Sequence, residues 1–208
     1  MSKKIIDELI YRYPCLNCIN KQIIEAYDML KQLYSAGNTV FLAGNGGSHA
    51  DTNHFAGELM KGFLKKRPVS ADVQAKLRNF SDGLRLSSLL QEGIPAIPLG
   101  NGVISTAILN DIGQDTVFAQ PLYVLGCKGD VFVGFSTSGN SKNVYYAAIT
   151  AKALNMLVIS FTGATGGILK SISDVCINVP EKETYKVQEL HMPIYHAICA
   201  QLEEDLFE

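Results

Sequence analysis

Short apolar runs alternate along this chain with longer segments whose apolar residues recur at helical spacing. Five of the runs predict buried strands: TVFLAG (39–44), GIPAIPLG (93–100), DVFVGFS (130–136), MLVISFTG (156–163) and DVCINVP (174–180). The first is too short and too rich in β-branched residues to be a helix. Strands that are apolar throughout and alternate with helices are typical of a parallel sheet covered on both faces. The pattern therefore predicts an α/β fold of three layers, with a five-stranded parallel sheet between two layers of helices.

The segments between these runs predict helices. Their ranges are 4–12, 20–36, 104–112, about 116–126, 141–154, 166–172 and 184–206. Pro14 separates the first two helices, and Asn20 can cap the second. We interpret 1–208 as a single domain that begins with N-terminal helices over 1–36.

Residues 61–92 interrupt the alternation. This segment is basic at first and then amphipathic, which predicts one or two helices. It is long for a plain connection, and long excursions are often lids or oligomer contacts. A helical insertion packed on the outside of the domain is an equally good interpretation.

Composition excludes several classes of partner. A chain of 208 residues suffices for one α/β domain, and its formal net charge of −2 does not favour nucleic acid or an anionic membrane. No apolar run approaches the roughly 20 residues that span a bilayer. The opening MSKKIIDELI lacks the apolar centre of a signal peptide. The 5 cysteines are scattered, so we expect a reduced protein of the cytoplasm.

Cys15 and Cys18 form a lone CxxC motif. No second pair follows at zinc-ribbon spacing, and no βαβ unit precedes the motif, so metal or redox chemistry lacks its usual context. We therefore favour an inert surface or core pair.

The segment GFSTSGNSKNV (134–144) follows a predicted strand and opens a predicted helix. Free N–H groups at a helix N-terminus favour an anion, and the hydroxyl groups add neutral donors that suit phosphate oxygens. No GxxxxGK[ST] motif is present, so a phosphate monoester fits better than a nucleoside triphosphate with magnesium. The simpler alternative is an ordinary serine-rich turn in which Ser141 caps the helix.

The segment GNGGS (44–48) is a second turn of this kind. It matches a dinucleotide fingerprint only weakly, because His49 stands at the third glycine position. The next strand also ends without the acidic residue that would bind a ribose. A nicotinamide enzyme is therefore disfavoured.

His54 and Glu58 stand four residues apart, which places them on one face of a predicted helix. Such a pair is often a solvated ion pair, but this one follows a candidate anion loop by about two turns. The terminal helix adds further candidates, namely Gln188, Glu189, His191 and His196.

Three motifs together resemble the sugar isomerase (SIS) domain of phosphoheptose isomerases, which convert sedoheptulose 7-phosphate to a heptose 7-phosphate. They are GNGGSHADTNHFAGEL (44–59), STSGNSKNV (136–144) and VQELHMPIYH (187–196), in the family's order. The resemblance spans about residues 20–205. It implies a flavodoxin-like SIS fold and a homotetramer with sites at subunit interfaces. The positions that it implies for phosphate and substrate binding are Asn45, Gly46, Gly47, Ser48, Ser136, Thr137, Ser138, Ser141 and Gln188.

The resemblance also implies a divalent metal, most simply zinc, whose ligands would be His54, Glu58, Gln188 and His196. Gln188 and His196 lie eight residues apart, about 12 Å along a continuous helix at 1.5 Å per residue. They can share one ion only if the helix starts after Gln188 or bends, or if different subunits contribute.

Three positions depart from the family pattern. Tyr185 and Lys186 stand where a carboxylate and an arginine are common, and Gly62 replaces an arginine. We expect aldose–ketose isomerisation of a phosphosugar, with Glu58 as the base and His196 as the acid. The alternatives are an isomerase for a different phosphosugar and a non-catalytic SIS protein that binds a phosphosugar as a regulator or scaffold.

Overall fold

The computed structural model, which describes residues 3–207, is built around one sheet of five parallel strands. The strands are β1 (Val40–Ala43), β2 (Ala96–Pro98), β3 (Val131–Ser136), β4 (Leu157–Thr162) and β5 (Val175–Asn178). Their spatial order is β2-β1-β3-β4-β5. Each of the five lies inside the segment that the sequence predicts for it, so the predicted α/β fold is confirmed.

Ten α-helices and two short 3-10 helices, at Pro14–Ile19 and Gln114–Thr116, complete the described part of the chain. The α-helices are α1 (Lys4–Arg12), α2 (Asn20–Ser35), α3 (Gly47–Met60), α4 (Ala71–Leu77), α5 (Gly83–Leu89), α6 (Gly102–Asp111), α7 (Ala119–Leu125), α8 (Lys142–Ala153), α9 (Leu169–Ile172) and α10 (Thr184–Leu206). Among these residues no helix combines the length and apolarity needed to cross a membrane.

The two faces of the sheet carry separate apolar cores. Along β1, Val40 and Leu42 pack into a core with α1, α2, α3 and α10, while Phe41 and Ala43 pack into a second core with α7, α8 and α9. This alternation follows from the two-residue period of a strand. All four residues are buried, as expected for a parallel strand covered on both faces.

Strand β2 is shorter than the segment predicted for it. Only Ala96–Pro98 pair with β1, within a predicted range of 93–100. Pro95 and Pro98 lack an N–H group, and proline is confined to strand ends and sheet edges. The strand accordingly lies at one edge of the sheet and pairs on one side alone.

The predicted insertion 61–92 contains two short helices, α4 and α5. They pack on each other, and an antiparallel bridge between Pro68 and Gln91 closes their base. Both helices leave large apolar side chains exposed, including Phe80 at 70% and Leu84 at 67%. The prediction of one or two helices is confirmed, and whether they form a lid or a flap stays open.

The order of the strands places a crevice between β1 and β3. The two strands are neighbours, yet the helices that follow them lie on opposite faces, with α3 in one core and α8 in the other. Ligands of open α/β sheets bind where adjacent connections diverge in this way. Both glycine-rich segments, 44–48 and 134–144, lie at this point.

Candidate active site

The loop after β1 is shaped by its glycines. A Cβ atom at Gly44 would lie 2.7 Å from the carbonyl oxygen of Ser48, and Gly46 has φ of +55°. These constraints let the chain turn directly into α3, whose first residue is Gly47. The first N–H groups of a helix have no acceptor within it, so the start of α3 offers donors to an anion.

The loop after β3 is closed by its hydroxyl groups. Ser136 Oγ lies 2.8 Å from Ser141 Oγ and accepts a hydrogen bond from the Ser141 N–H at 3.3 Å. Gly139 has φ of +69°, and a Cβ atom there would lie 2.1 Å from the Gly166 carbonyl oxygen. Ser141 occupies the N-cap position of α8, as the simpler alternative predicts, but its hydroxyl makes no capping bond to the helix.

A pair of amides joins the two loops. The Asn45 amide donates to Asn143 Oδ1 at 3.0 Å, and the Asn143 amide donates to Asn45 Oδ1 at 2.9 Å. A cleft of about 340 Å³ opens beside this pair and is lined by Gly46 and His49 among others. Sequence reasoning missed Asn143, although its place in the first turn of α8 was a usable signal.

Gln188 lies at the same end of α3. Its side-chain amide donates to Ser48 Oγ at 3.5 Å, and a Cβ atom at Gly47 would lie 2.8 Å from Gln188 Nε2. The absence of a side chain at Gly47 thus makes room for this amide. Gln188 is predicted both to bind the substrate phosphate and to bind the metal. Its position beside Ser48 suits contact with an anion at these loops.

Three of the predicted chemical groups meet near the other end of α3. His54 Nε2 lies 3.3 Å from Glu58 Oε1 and 3.4 Å from His196 Nε2. Glu58 Oε2 accepts a bond from Lys61 Nζ at 2.9 Å. The Glu58 side chain is 13% exposed, so its carboxylate is largely removed from water and remains reachable.

Burial changes the protonation of His196. It lowers the pKa of this imidazole, the neighbouring His54 lowers it further, and the nearby Glu58 opposes the change. His196 is therefore neutral near neutral pH. A neutral imidazole still carries one N–H group that can donate to an oxygen.

Two buried residues that sequence reasoning missed support His54. Tyr195 is fully buried, its hydroxyl donates to Asp51 Oδ1 at 3.3 Å, and it lies 3.0 Å from His54 Nδ1. Burial, followed by the Asp51 charge, raises the pKa of Tyr195 far above its usual range. Burial also raises the pKa of Asp51, whose second oxygen has no partner. Their sequence contains no signal for this role, because the contacts join distant segments.

The two groups of residues lie apart along one pair of helices. Gln188 is beside Ser48, and His196 is beside His54, so α10 runs along α3 in the same direction. At 1.5 Å per residue, Ser48 and Glu58 are separated by about 15 Å along α3. The loops predicted to bind an anion and the side chains predicted to transfer protons thus lie at opposite ends of the same helix.

This placement bears on the predicted zinc ligands. Helix α10 begins at Thr184, before Gln188, so the proposal that the helix starts after Gln188 does not apply. Within residues 3–207 no group of three or more His, Cys, Asp or Glu side chains is arranged so that it could hold a metal ion. The four predicted ligands therefore do not fit a metal ion within a single chain, and zinc binding stays a prediction.

Models of the SIS domain match residues 16–163 and 125–203 of this chain. Phosphoheptose isomerase from Aneurinibacillus thermoaerophilus is 40% identical over 85% of this chain and 77% of its own length. This chain belongs to the SIS domain family, in its phosphoheptose isomerase branch. Phosphoheptose isomerase 2 from Campylobacter jejuni is 41% identical over 84% of this SIS domain protein and 75% of its own length.

Solved structures support the same assignment for this SIS domain. A phosphoheptose isomerase from Neisseria gonorrhoeae has a TM-score of 0.75 at 31% identity, covering 95% of this chain and 94% of that one. The enzyme from Francisella tularensis has a TM-score of 0.76 at 26% identity, covering 93% and 91%. The predicted resemblance to the family is confirmed.

The CxxC pair of this SIS domain lies away from these groups. Cys15 and Cys18 are exposed free thiols on the 3-10 helix Pro14–Ile19, and Cys18 Sγ donates to the Cys15 carbonyl at 3.3 Å. Of the two sequence interpretations, a surface pair agrees with this placement.

Proposed function

We propose that this chain is a sugar-phosphate isomerase that interconverts the ketose and aldose forms of sedoheptulose 7-phosphate or a related phosphosugar. Its relatives in three organisms are named as phosphoheptose isomerases or probable ones, at 38% to 41% identity over at least 84% of this chain. The observation that carries the mechanism is the contact of Glu58 and His196 with the same atom of His54.

The phosphate would bind at the loops that end β1 and β3. Hydroxyl groups of Ser136, Thr137, Ser138 and Ser141 and backbone N–H groups at residues 45–48 are the proposed donors. Neutral donors at helix N-termini suit a doubly charged phosphate monoester. Holding the phosphate there would orient the rest of the sugar along α3. The binding energy of the phosphate then lowers the entropic cost of reaching the transition state.

The proton transfers would take place at the far end of α3. Glu58 is the proposed base, and it removes the proton from the carbon next to the carbonyl carbon. His196 donates its N–H to the carbonyl oxygen, and the product of both transfers is an enediol. Glu58 then returns its proton to the former carbonyl carbon while His196 takes the proton of the other hydroxyl group, so the isomeric sugar forms and both side chains regain their starting protonation.

Zinc binding by His54, Glu58, Gln188 and His196 is a proposal that needs more than one subunit, because the described residues of one chain contain no group arranged to hold a metal ion. Of the residues proposed for it, His54, Glu58 and His196 are in contact, and Gln188 lies at the other end of α3. Metal analysis of the purified protein, before and after dialysis against a chelator, tests this proposal without reference to turnover. The cytoplasmic location likewise stays a prediction.

We also propose a homo-oligomer, with the tetramer as the expected form. Helices α6 and α7 expose large apolar side chains, including Val103 at 83%, Ile104 at 68% and Val124 at 68%. Clusters of exposed apolar side chains are typical of surfaces that bind another protein. Light scattering coupled to gel filtration measures the number of subunits.

A turnover screen across phosphorylated ketoses and aldoses of five to seven carbons tests the function, with and without added zinc. We expect the best turnover with a seven-carbon sugar phosphate and none with the unphosphorylated sugar. Binding of phosphosugars without any turnover, in metal-replete protein, would contradict the proposal and favour a regulator or scaffold.

A further inference from the structure

A buried arginine lies under the C-terminal end of α3. Arg67 is 1% exposed, and its guanidinium donates to the Leu59 carbonyl at 2.9 Å and to the Glu58 carbonyl at 3.3 Å. The last carbonyl groups of a helix have no partner within it and carry its partial negative charge. Arg67 therefore satisfies the end of the helix that carries Glu58.

The guanidinium is itself fixed from two sides. Arg67 Nε donates to Glu203 Oε1 at 2.8 Å, and the ring of Phe207 lies 4.4 Å from the guanidinium carbon. Glu203 is also 1% exposed. Because both charges are buried and paired, neither side chain can leave its position without exposing an unpaired charge to the interior.

The Glu203 carboxylate organises the chain that follows α3. It accepts hydrogen bonds from the N–H groups of Phe63, Leu64 and Lys65 at 2.8, 2.7 and 2.9 Å. Burial alone raises the pKa of Glu203, but these bonds and Arg67 together bring it below its ordinary value. The carboxylate is therefore ionised at neutral pH and holds the loop closed.

This loop reaches the second proposed chemical group. The Phe63 ring packs against the His196 ring with centroids 5.4 Å apart. Glu203 also follows His196 by seven residues on α10, which places both near one face of that helix. The buried pair thus contacts the backbone of Glu58 directly and the imidazole of His196 through Phe63.

We propose that Arg67 and Glu203 are positioning residues for the isomerisation. They hold the side chain of Glu58 on α3 and that of His196 on α10 in their positions relative to each other. Neither side chain touches the sugar, because both are buried. The inference rests on the proposed function, since it assigns a purpose to the geometry of that acid and base. A small displacement of such groups can reduce the rate about 100-fold, so the effect is measurable.

The experiment compares two acidic residues of α10. Glu203→Gln keeps the shape of the side chain and removes its charge from the pair with Arg67. Asp205→Asn is the matched control, because Asp205 lies two residues further and ties α10 to α2 through Tyr27 and Lys31. We expect Glu203→Gln to lower kcat about 10- to 100-fold with KM within about threefold. Asp205→Asn should lower Tm and leave kcat within about twofold.

A second variant covers the case in which Glu203→Gln does not fold. Arg67→Lys retains a cation beside Glu203 but cannot bridge the carbonyls of Glu58 and Leu59. It is expected to fold and to lower kcat at constant KM. Equal kcat values for Arg67→Lys, Glu203→Gln and Asp205→Asn, measured well below each Tm, would overturn the inference.

A readout without substrate separates this inference from the proposed function. The imidazole NMR signals of His196, assigned with His196→Gln, should shift in Glu203→Gln and Arg67→Lys and not in Asp205→Asn. Unchanged signals overturn the positioning role even if no phosphosugar is turned over. A wild-type protein without turnover but with the expected shifts counts against the proposed function alone.

Discussion

At its N-terminus α3 meets neutral groups, whereas at its C-terminus it meets charged groups of both signs. The first end is surrounded by the hydroxyl of Ser48, the amide of Gln188 and the paired amides of Asn45 and Asn143. The second carries Glu58 against Lys61, with Arg67 and the imidazoles of His54 and His196 around it. The positive end of a helix holds an anion without a charged side chain, while a reactive carboxylate needs close control of its surroundings.

The difference is the reason for proposing separate roles for the two ends of α3. If the phosphate binds at one end and protons are transferred at the other, as proposed, substitutions can impair the two steps separately. Variants of the C-terminal end should lower kcat, and variants of the N-terminal end should raise KM.

Glu58→Gln should have the largest effect. The amide is close in shape to the carboxylate but cannot accept a proton from carbon, and general base catalysis is worth about 10²- to 10⁴-fold. We expect kcat to fall at least about 1,000-fold, while the affinity for the phosphosugar, measured by calorimetry, changes by less than about threefold. The loops proposed to hold the phosphate are not touched by the substitution.

The matched control is Glu25→Gln. Glu25 is an exposed carboxylate on α2 without a proposed role, and its loss should leave kcat unchanged. Full activity of Glu58→Gln would refute the assignment of the base. Loss of both turnover and binding would mean that the two ends of α3 are not separable.

His191 lies between the two ends and should govern the stability of α10 against acid. It is fully buried, its Nε2 atom lies 3.2 Å from the Thr162 carbonyl, and its Nδ1 atom has no partner. Burial lowers its pKa from 6.5 to about 4. As the pH falls from 6.5, the unfolded chain takes up this proton first, so the free energy of unfolding decreases until about pH 4. The decrease due to this group is about 3 kcal/mol.

His191→Phe should remove this part of the pH dependence. The slot is aromatic, since Phe135 and Phe161 pack on the ring, and Thr162 keeps a hydrogen bond from the Val179 N–H. Urea unfolding at pH 7 and pH 5 should therefore show a smaller loss of stability in the variant than in the wild type. Parallel curves for the two proteins would show that His191 does not carry the effect.

Ser141→Ala should weaken the binding of the phosphate next to the N-terminal end of α3, with a smaller effect than the substitutions above. Its hydroxyl lies in the loop that faces the crevice, paired with Ser136. One hydrogen bond to a charged group is worth about 1.5 kcal/mol, or about tenfold. We expect KM to rise about tenfold with kcat within about twofold, and inhibition by inorganic phosphate to weaken in parallel.

The control for Ser141→Ala is Ser160→Ala. Ser160 is fully buried and its hydroxyl pairs with Ser173 at 2.6 Å instead of with a residue of either glycine-rich segment. Its loss should lower Tm and leave KM unchanged. A fall in kcat at constant KM for Ser141→Ala would place this hydroxyl with the chemistry instead of with binding.

The N-terminal end of α3 was predictable because its signals are local. An apolar run, a glycine turn and a helix start stand side by side in residues 39–48, and each has a known physical requirement. The sheet was predictable for the same reason, except where Pro95 and Pro98 shorten β2. Gln188 and His196 were candidates from the terminal helix, and the family resemblance then gave them roles that spacing alone did not.

The C-terminal end could not be predicted from local signals. Tyr195 meets His54 across 141 positions of sequence, and Arg67 meets Glu203 across 136. A tyrosine or an arginine in a helical or basic segment has no feature that distinguishes a buried partner from an exposed one. In the sequence, Arg67 is one more cation in a basic segment, and only the fold shows that it is buried under α3.

Lys61→Gln should have the smallest effect on kcat. Lys61 Nζ lies 2.9 Å from Glu58 Oε2, but the side chain is 55% exposed. Ion pairs of such exposure are worth at most about 1 kcal/mol and are screened by salt. We therefore expect kcat to fall by no more than about fivefold, with the difference from wild type shrinking as the salt concentration rises. Lys65→Gln, which breaks an exposed pair with Glu204 in the same loop, is the matched control. A 100-fold loss for Lys61→Gln alone would mean that its ammonium group acts on the sugar directly, and the C-terminal end of α3 would then contain a third reacting group besides Glu58 and His196.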